Sequence, residues 1–105
     1  MTIQFNTDKN IAGNDRTANY LSSMISDSLE RFSEHVTRIE VHLSDENGSN
    51  KNAGNDKRCI LEARMEGKKP LAVTNDADTI EKAVSGAIDK LMSTLEKNLE
   101  RQRSY

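Results

Sequence analysis

Each regular segment of this 105-residue chain carries its apolar residues on one side only, and their spacing switches between two and three-to-four along the sequence. A segment built that way must bury its single apolar face against another, so the pattern limits the fold to a layered one. Ile3 and Phe5 alternate with Gln4 and Asn6 over residues 2–7, a short half-buried strand. Gly13-Asn14-Asp15 breaks the chain and offers Asp15 as a helix N-cap. Tyr20, Leu21, Met24, Ile25, Leu29 and Phe32 then recur at helical spacing from about Arg16 to Glu34. The period returns to two over Thr37–Ser44, where Ile39, Val41 and Leu43 alternate with Arg38, Glu40, His42 and Ser44. It stays at two over Lys57–Glu66, with Cys59, Leu61, Ala63 and Met65 on the apolar face. After the turn Gly67-Lys68-Lys69-Pro70, Leu71–Thr74 reads as a fourth short strand. Asp78 followed by Glu81 suggests a capping box. Ile80, Val84, Ala87, Ile88, Leu91, Leu95 and Leu99 form a helical stripe running to about Arg101.

The order β-α-β-β-β-α, in one domain spanning residues 1–105, predicts an α+β two-layer sandwich. Its four-stranded mixed sheet begins with a parallel β-α-β crossover and continues through antiparallel hairpins. Both helices have one stripe to bury and must share one sheet face. The other face is left to water or a partner. Residues 45–56 (DENGSNKNAGND) hold no large apolar side chain and are expected to form a mobile hairpin loop.

No run approaches the ~18 apolar residues of a membrane span, and the N-terminus lacks a basic region leading into an apolar stretch. A single cysteine, Cys59, can form no internal disulfide, which fits a reducing compartment. A cytoplasmic protein without a membrane partner is expected.

Catalytic patterns are missing. Cys59 and His42 fall on opposite sheet faces and cannot form a nucleophile–base pair. Two histidines seven residues apart and one cysteine do not close a zinc tetrahedron. The acidic run at 45–50 places its glycine fourth rather than sixth, and Asp56 stands where a calcium loop needs Glu. There is no glycine-rich phosphate loop and no serine elbow. Neither an enzyme nor a metal, cofactor or small-molecule substrate is indicated.

Net charge is −2 and the isoelectric point about 5.7, so any nucleic-acid binding must come from where the cations sit. Residues 1–56 carry five Lys/Arg against nine acids, and residues 57–105 carry ten against eight. On the closing helix Lys90, Lys97 and Arg101 fall within about 20° of one line at ~100° per residue. They span roughly 16 Å at ~1.5 Å per residue, and Asp89, Glu96 and Glu100 lie on another flank. Repeated contact with a phosphate backbone fits such a stripe; so does a solvated face with i,i+4 pairing. On the bare sheet face Arg58, Glu62 and Arg64 stand beside Glu40 and His42, a pattern that predicts cross-strand ion pairs. Lys68 and Lys69 in the turn have only Glu66 nearby in sequence. Tyr20 and Phe32 are expected in the core rather than as a base-stacking platform, leaving Tyr105 free to stack.

Three stretches, RIEVHLSDEN at 38–47, DKRCILEARMEGKKPLAVT at 56–74 and ADTIEKAVSGAIDKLMSTLEK at 77–97, give the chain a resemblance to the bacterial ribosome hibernation-promoting factors and ribosome-associated inhibitors. The resemblance covers nearly the whole chain and shares its element order. It implies binding to the small ribosomal subunit, in the channel that otherwise holds mRNA and tRNA, and restraint of translation under stress or in stationary phase. Family members grip rRNA phosphates with cations on both helices; here Lys90 and Lys97 match such positions on the closing helix and Arg31 one late in the first. Lys57, Arg58, Lys68 and Lys69 are the further cations through which contact would run. Because the chain stops at Tyr105, the extra C-terminal domain of long forms is expected to be missing, and with it that route to ribosome dimerisation. The pattern also departs from the family. Ser28 stands where lysine is common, Met92-Ser93-Thr94 replaces a polar basic run, and Asp27, Glu30 and Glu34 make the first helix acidic. The net charge of −2 favours a second reading, a protein-interaction or stress-regulatory adaptor that keeps the fold without the RNA grip, whereas the Lys90–Lys97–Arg101 stripe favours the ribosome.

Overall fold

A computed structural model describes residues 1–6, 15–45 and 56–103, with the side chains of residues 15 and 100–103 outside the description. The Asp15 cap, the Arg101 side chain, Tyr105 and nearly all of the predicted 45–56 loop therefore lie outside the described residues. The elements run β1 (Thr2–Phe5), α1 (Asp15–Ser28), a 3₁₀ turn (Glu30–Phe32), β2 (Arg38–Asp45), β3 (Lys57–Arg64), β4 (Leu71–Ala77) and α2 (Ile80–Arg103). The strands lie side by side in the order β1-β2-β3-β4. β1 is parallel to β2, and the other two pairings are antiparallel. This is the predicted mixed sheet.

The pleat places Ile39, Val41, Leu43, Cys59, Leu61 and Ala63 on the covered face, all buried. Leu21, Ile25 and Leu29 of α1 and Val84, Ala87, Ile88, Leu91 and Leu95 of α2 close over them. α2 packs on β3 and β4, while α1 lies on the β1 side. Burial drives the Cys59 thiol up to about 12, so it is an inert part of the core.

Four local expectations are corrected. The first helix stops at Ser28 rather than Glu34. There the chain tightens into i→i+3 bonds, Phe32 N–H to Leu29 C=O (2.9 Å) and Ser33 N–H to Glu30 C=O (3.0 Å). That turn sends Phe32 and Val36 into the core just before β2. The fourth strand reaches Ala77 instead of Thr74, because Asp76 pairs across to Arg58 and prolongs the ladder. The N-cap of α2 is Thr79, whose Oγ1 accepts the Lys82 N–H at 3.1 Å; Asp78 binds the Lys82 ammonium at 3.3 Å instead. Tyr20 is not a core residue: it is 53% exposed, and its hydroxyl donates to Glu81 Oε1 at 3.0 Å.

Candidate nucleic-acid interface

The cations nominated from sequence separate into two groups once their partners are known. On the open sheet face, strand register dictates pairing. Arg58 stands opposite Asp76 and Glu40 opposite Glu62. Arg58 Nε donates to Asp76 Oδ1 at 2.9 Å and Nη2 to Oδ2 at 3.3 Å, a two-point grip that holds the Asp76 carboxyl below its ordinary value. Lys57 lies between Asp45 (3.1 Å) and Asp56 (3.2 Å), and hydrogen bonds to both raise its pKa. Arg64 Nε donates to Glu62 Oε1 at 3.0 Å and lies 2.7 Å from Glu40 Oε2. Arg38 approaches Glu40 from the other side at 3.4 Å. Lys57 and Arg58, both expected to reach RNA, are thus neutralised by carboxylates of this chain.

Arg31 is also engaged. The 3₁₀ turn holds it against Glu96 of α2 in an ion pair, with its guanidinium 4.7 Å from the Phe32 ring centroid. Tyr20 meets Glu81 near the start of α2, and Arg31 meets Glu96 further along it. The two helices therefore run side by side in the same direction. Arg31 and Glu96 face each other in that seam.

Lys90 lies on the other flank of α2. Its ammonium donates to the Thr74 carbonyl on the outer strand β4 at 2.7 Å. Lys97 is two turns further along the same line and is exposed. Lys68 and Leu99 border one hollow, so the Lys68-Lys69 turn stands beside the last turns of α2. Among the described residues, Lys68, Lys69, Lys90 and Lys97 form no ion pair. Lys90 and Lys97 follow the β4 side of α2, Lys68 borders a hollow it shares with Glu34, Glu66 and Leu99, and Arg31 lies across the helix from Lys90.

A backbone carbonyl is a neutral acceptor, and the nearby Asp76 carboxylate, which Lys90 helps to hold down, is already gripped by Arg58, so the Lys90 charge is only partly offset. Sequence spacing found the α2 stripe because it is local. It predicted ion pairs on the open sheet face, but not that Arg58 pairs with Asp76, 18 residues away, or Arg31 with Glu96, 65 residues away. Among the described residues no cluster of three or more His, Cys, Asp or Glu could hold a metal ion, and no helix is long and apolar enough to cross a membrane.

Solved structures share this architecture. The N-terminal domain of Protein Y from Thermus thermophilus superposes with a TM-score of 0.70 at 16% identity, covering 92% of this chain and 98% of that one. A ribosomal subunit interface protein from Coxiella burnetii superposes with a TM-score of 0.67 at 19% identity, covering 95% and 99% respectively. No curated protein matches the sequence. The sequence model of one family, described as sigma 54 modulation protein / S30EA ribosomal protein, spans residues 5–103, and the chain belongs to that family.

Proposed function

We propose that this is a ribosome-associated, non-catalytic protein that binds rRNA of the small subunit in the mRNA and tRNA channel and restrains translation under stress. The observation that carries this reading is the division of the cations. Among the described residues Lys68, Lys69, Lys90 and Lys97 enter no ion pair, while Arg31, Arg38, Lys57, Arg58 and Arg64 are held by carboxylates. A chain of net charge −2 can grip a polyanion only through such a segregated strip. Membership of a family whose description names a ribosomal protein supports the same partner, as does the likeness to a ribosomal subunit interface protein. Lys90, Lys97 and Arg101 would carry the helix contacts, and Lys68 and Lys69 would extend them from the turn.

The test replaces Lys90, Lys97 and Arg101 together with Gln, which keeps good helix propensity. Duplex counterion release contributes a slope of ~0.9 per phosphate contact, so the log-affinity against log-salt line for ribosomes should flatten by roughly 2–3 units. Exchanging Lys82, Asp89 and Glu100 on the opposite flank should leave the slope in place. An unchanged slope in the triple variant makes the strip a solvated face. The exposed acids of α2, Asp89 and Glu96, favour a second reading as a protein-interaction adaptor. Sedimentation of a stationary-phase lysate away from ribosomal fractions would select it.

A further inference from the structure

Tyr20 is exposed on a domain with few aromatic side chains, and what surrounds it is specific. Near the start of α2 the two helices leave a hollow of about 470 Å³ lined by Arg16, Thr17, Tyr20, Leu21, Ile80 and Glu81. This lies within the ~300–1,000 Å³ range of small-ligand sites. Ile80 and buried Leu21 give it an apolar floor. The Tyr20 hydroxyl is tied to Glu81 Oε1 at 3.0 Å, which fixes the ring from its far end while half of the side chain faces solvent. A half-exposed Tyr tied down by its hydroxyl offers a rigid aromatic surface at little entropic cost.

We infer that Tyr20, Glu81 and Arg16 form a second contact point for RNA, a site that receives one unpaired nucleobase bearing an exocyclic amino group. Each part of a nucleotide meets a complementary group. The base stacks on the Tyr20 ring, since every base has a π-face and base–aromatic stacking is the usual way single-stranded RNA is held. Glu81 uses one carboxylate oxygen for Tyr20 and has the other to accept from an amino edge, the pairing by which acidic side chains read bases. Arg16 is exposed and supplies a cation for the flanking phosphate. Guanine, with two adjacent N–H donors on one edge, fits a carboxylate best; uracil offers one. The site is displaced from the lysine strip, since Glu81 precedes Lys90 by nine residues, roughly 14 Å along the helix axis and about half a turn around it. A strand bound at both points would be held by charge at one end and by a base at the other.

This inference rests on the RNA-binding reading above, and the experiment separates the two. Affinity is measured by anisotropy for a labelled single-stranded RNA of twelve uridines and for the same strand with one central guanine. The parent should prefer the guanine strand. Tyr20→Ala should weaken binding to it about tenfold, the scale of a single base–aromatic stack, without changing the salt slope. Tyr20→Phe should retain most of the affinity, and Glu81→Gln should remove the preference for guanine over uracil. The Lys90, Lys97 and Arg101 to Gln variant should lose salt slope yet keep that preference. If Tyr20→Ala binds both strands like the parent while the triple variant loses its slope, the base site is refuted and the strip stands. If the parent binds neither strand, or no variant changes anything, both ideas fall. If Tyr20→Ala releases ribosomes but binds both RNAs unchanged, the occupant is a protein and the inference is overturned.

Discussion

Asn75 on β4 lies so close to Gly86 of α2 that a β-carbon at Gly86 would stand 2.1 Å from its Nδ2. From this position the Asn75 amide donates to the carbonyls of Ala83 (3.2 Å) and Lys82 (3.4 Å), tying the outer strand to the helix backbone. The missing side chain at residue 86 is what lets the Asn75 amide lie against the helix backbone.

The pair predicts a reversal of sign. Alanine in a helix interior is normally better than glycine by ~0.5–1 kcal/mol. Here Gly86→Ala must push Asn75 off both carbonyls, losing hydrogen bonds worth about 1 kcal/mol each and crowding the contact. Urea unfolding should show Gly86→Ala destabilising the parent by about 1 kcal/mol. In an Asn75→Ala background the same substitution should stabilise. Additive effects of the two changes would show that the contact is not coupled.

Cys59 gives a second expectation. Its thiol, fully buried beneath the helices, is pushed up to about 12 by the loss of hydration. At about pH 8 only on the order of one molecule in ten thousand would carry the reactive thiolate. Iodoacetamide labelling of the native protein should therefore be slow and should accelerate in step with unfolding as urea is added. Rapid labelling without denaturant would place Cys59 on the open face and invert the pleat of β3.

The same pleat was legible from the sequence because period two is a local property: Cys59, Leu61 and Ala63 alternate within one strand, and Ile39, Val41 and Leu43 within another. What escaped detection depends on partners distant in the chain. Asn75, Asp76 and Ala77 lie beyond the strand read at Leu71–Thr74, yet they continue β4 because Arg58 lies across from Asp76. Tyr20 fits the helical spacing of α1, yet it sits at the margin of the stripe, where a hydroxyl partner 61 residues away decides its environment. The candidate site divides in the same way. The line of Lys90 and Lys97 follows from helix geometry alone, whereas the pairing of Arg31 with Glu96 and of Arg58 with Asp76 needed the tertiary register.

On the open sheet face, Glu40 should set much of the acid limb of stability. Burial disfavours its charge, but the Arg64 and Arg38 guanidiniums and the Asn6 amide (3.1 Å) outweigh burial and hold the carboxyl below its ordinary 4.5. A folded-state value below the unfolded one means that the ionised form favours folding. The contribution is therefore complete above about pH 4.5 and is lost as pH falls through the lowered value. Asp76, held down chiefly by Arg58, acts in the same direction below its ordinary 3.8. Urea midpoints between about pH 7 and pH 3 should fall less steeply for Glu40→Gln than for the parent. Parallel pH profiles would mean that Glu40 titrates alike in both states.

Arg31 and Glu96 test whether the carboxylates of this chain limit its grip on RNA. The pair is exposed, 59% on the arginine side and 48% on the glutamate side. Such pairs contribute only about 0–1 kcal/mol to stability, so Glu96→Gln should leave the unfolding midpoint almost where it was. It should nevertheless release a cation already held near the domain surface by the Phe32 ring. If Arg31 can then reach a phosphate, ribosome affinity should rise, and the salt slope should steepen by up to roughly one contact. Arg31→Gln, added to Glu96→Gln, should cancel that gain. The comparison discriminates because removing an acid anywhere on α2 raises the net charge equally, and Asp89→Asn provides that control. A steeper slope in Glu96→Gln but not in Asp89→Asn assigns the effect to Arg31. Equal slopes in all three proteins would mean that Arg31 is a seam residue between the helices and that only the β4 side of the domain meets RNA.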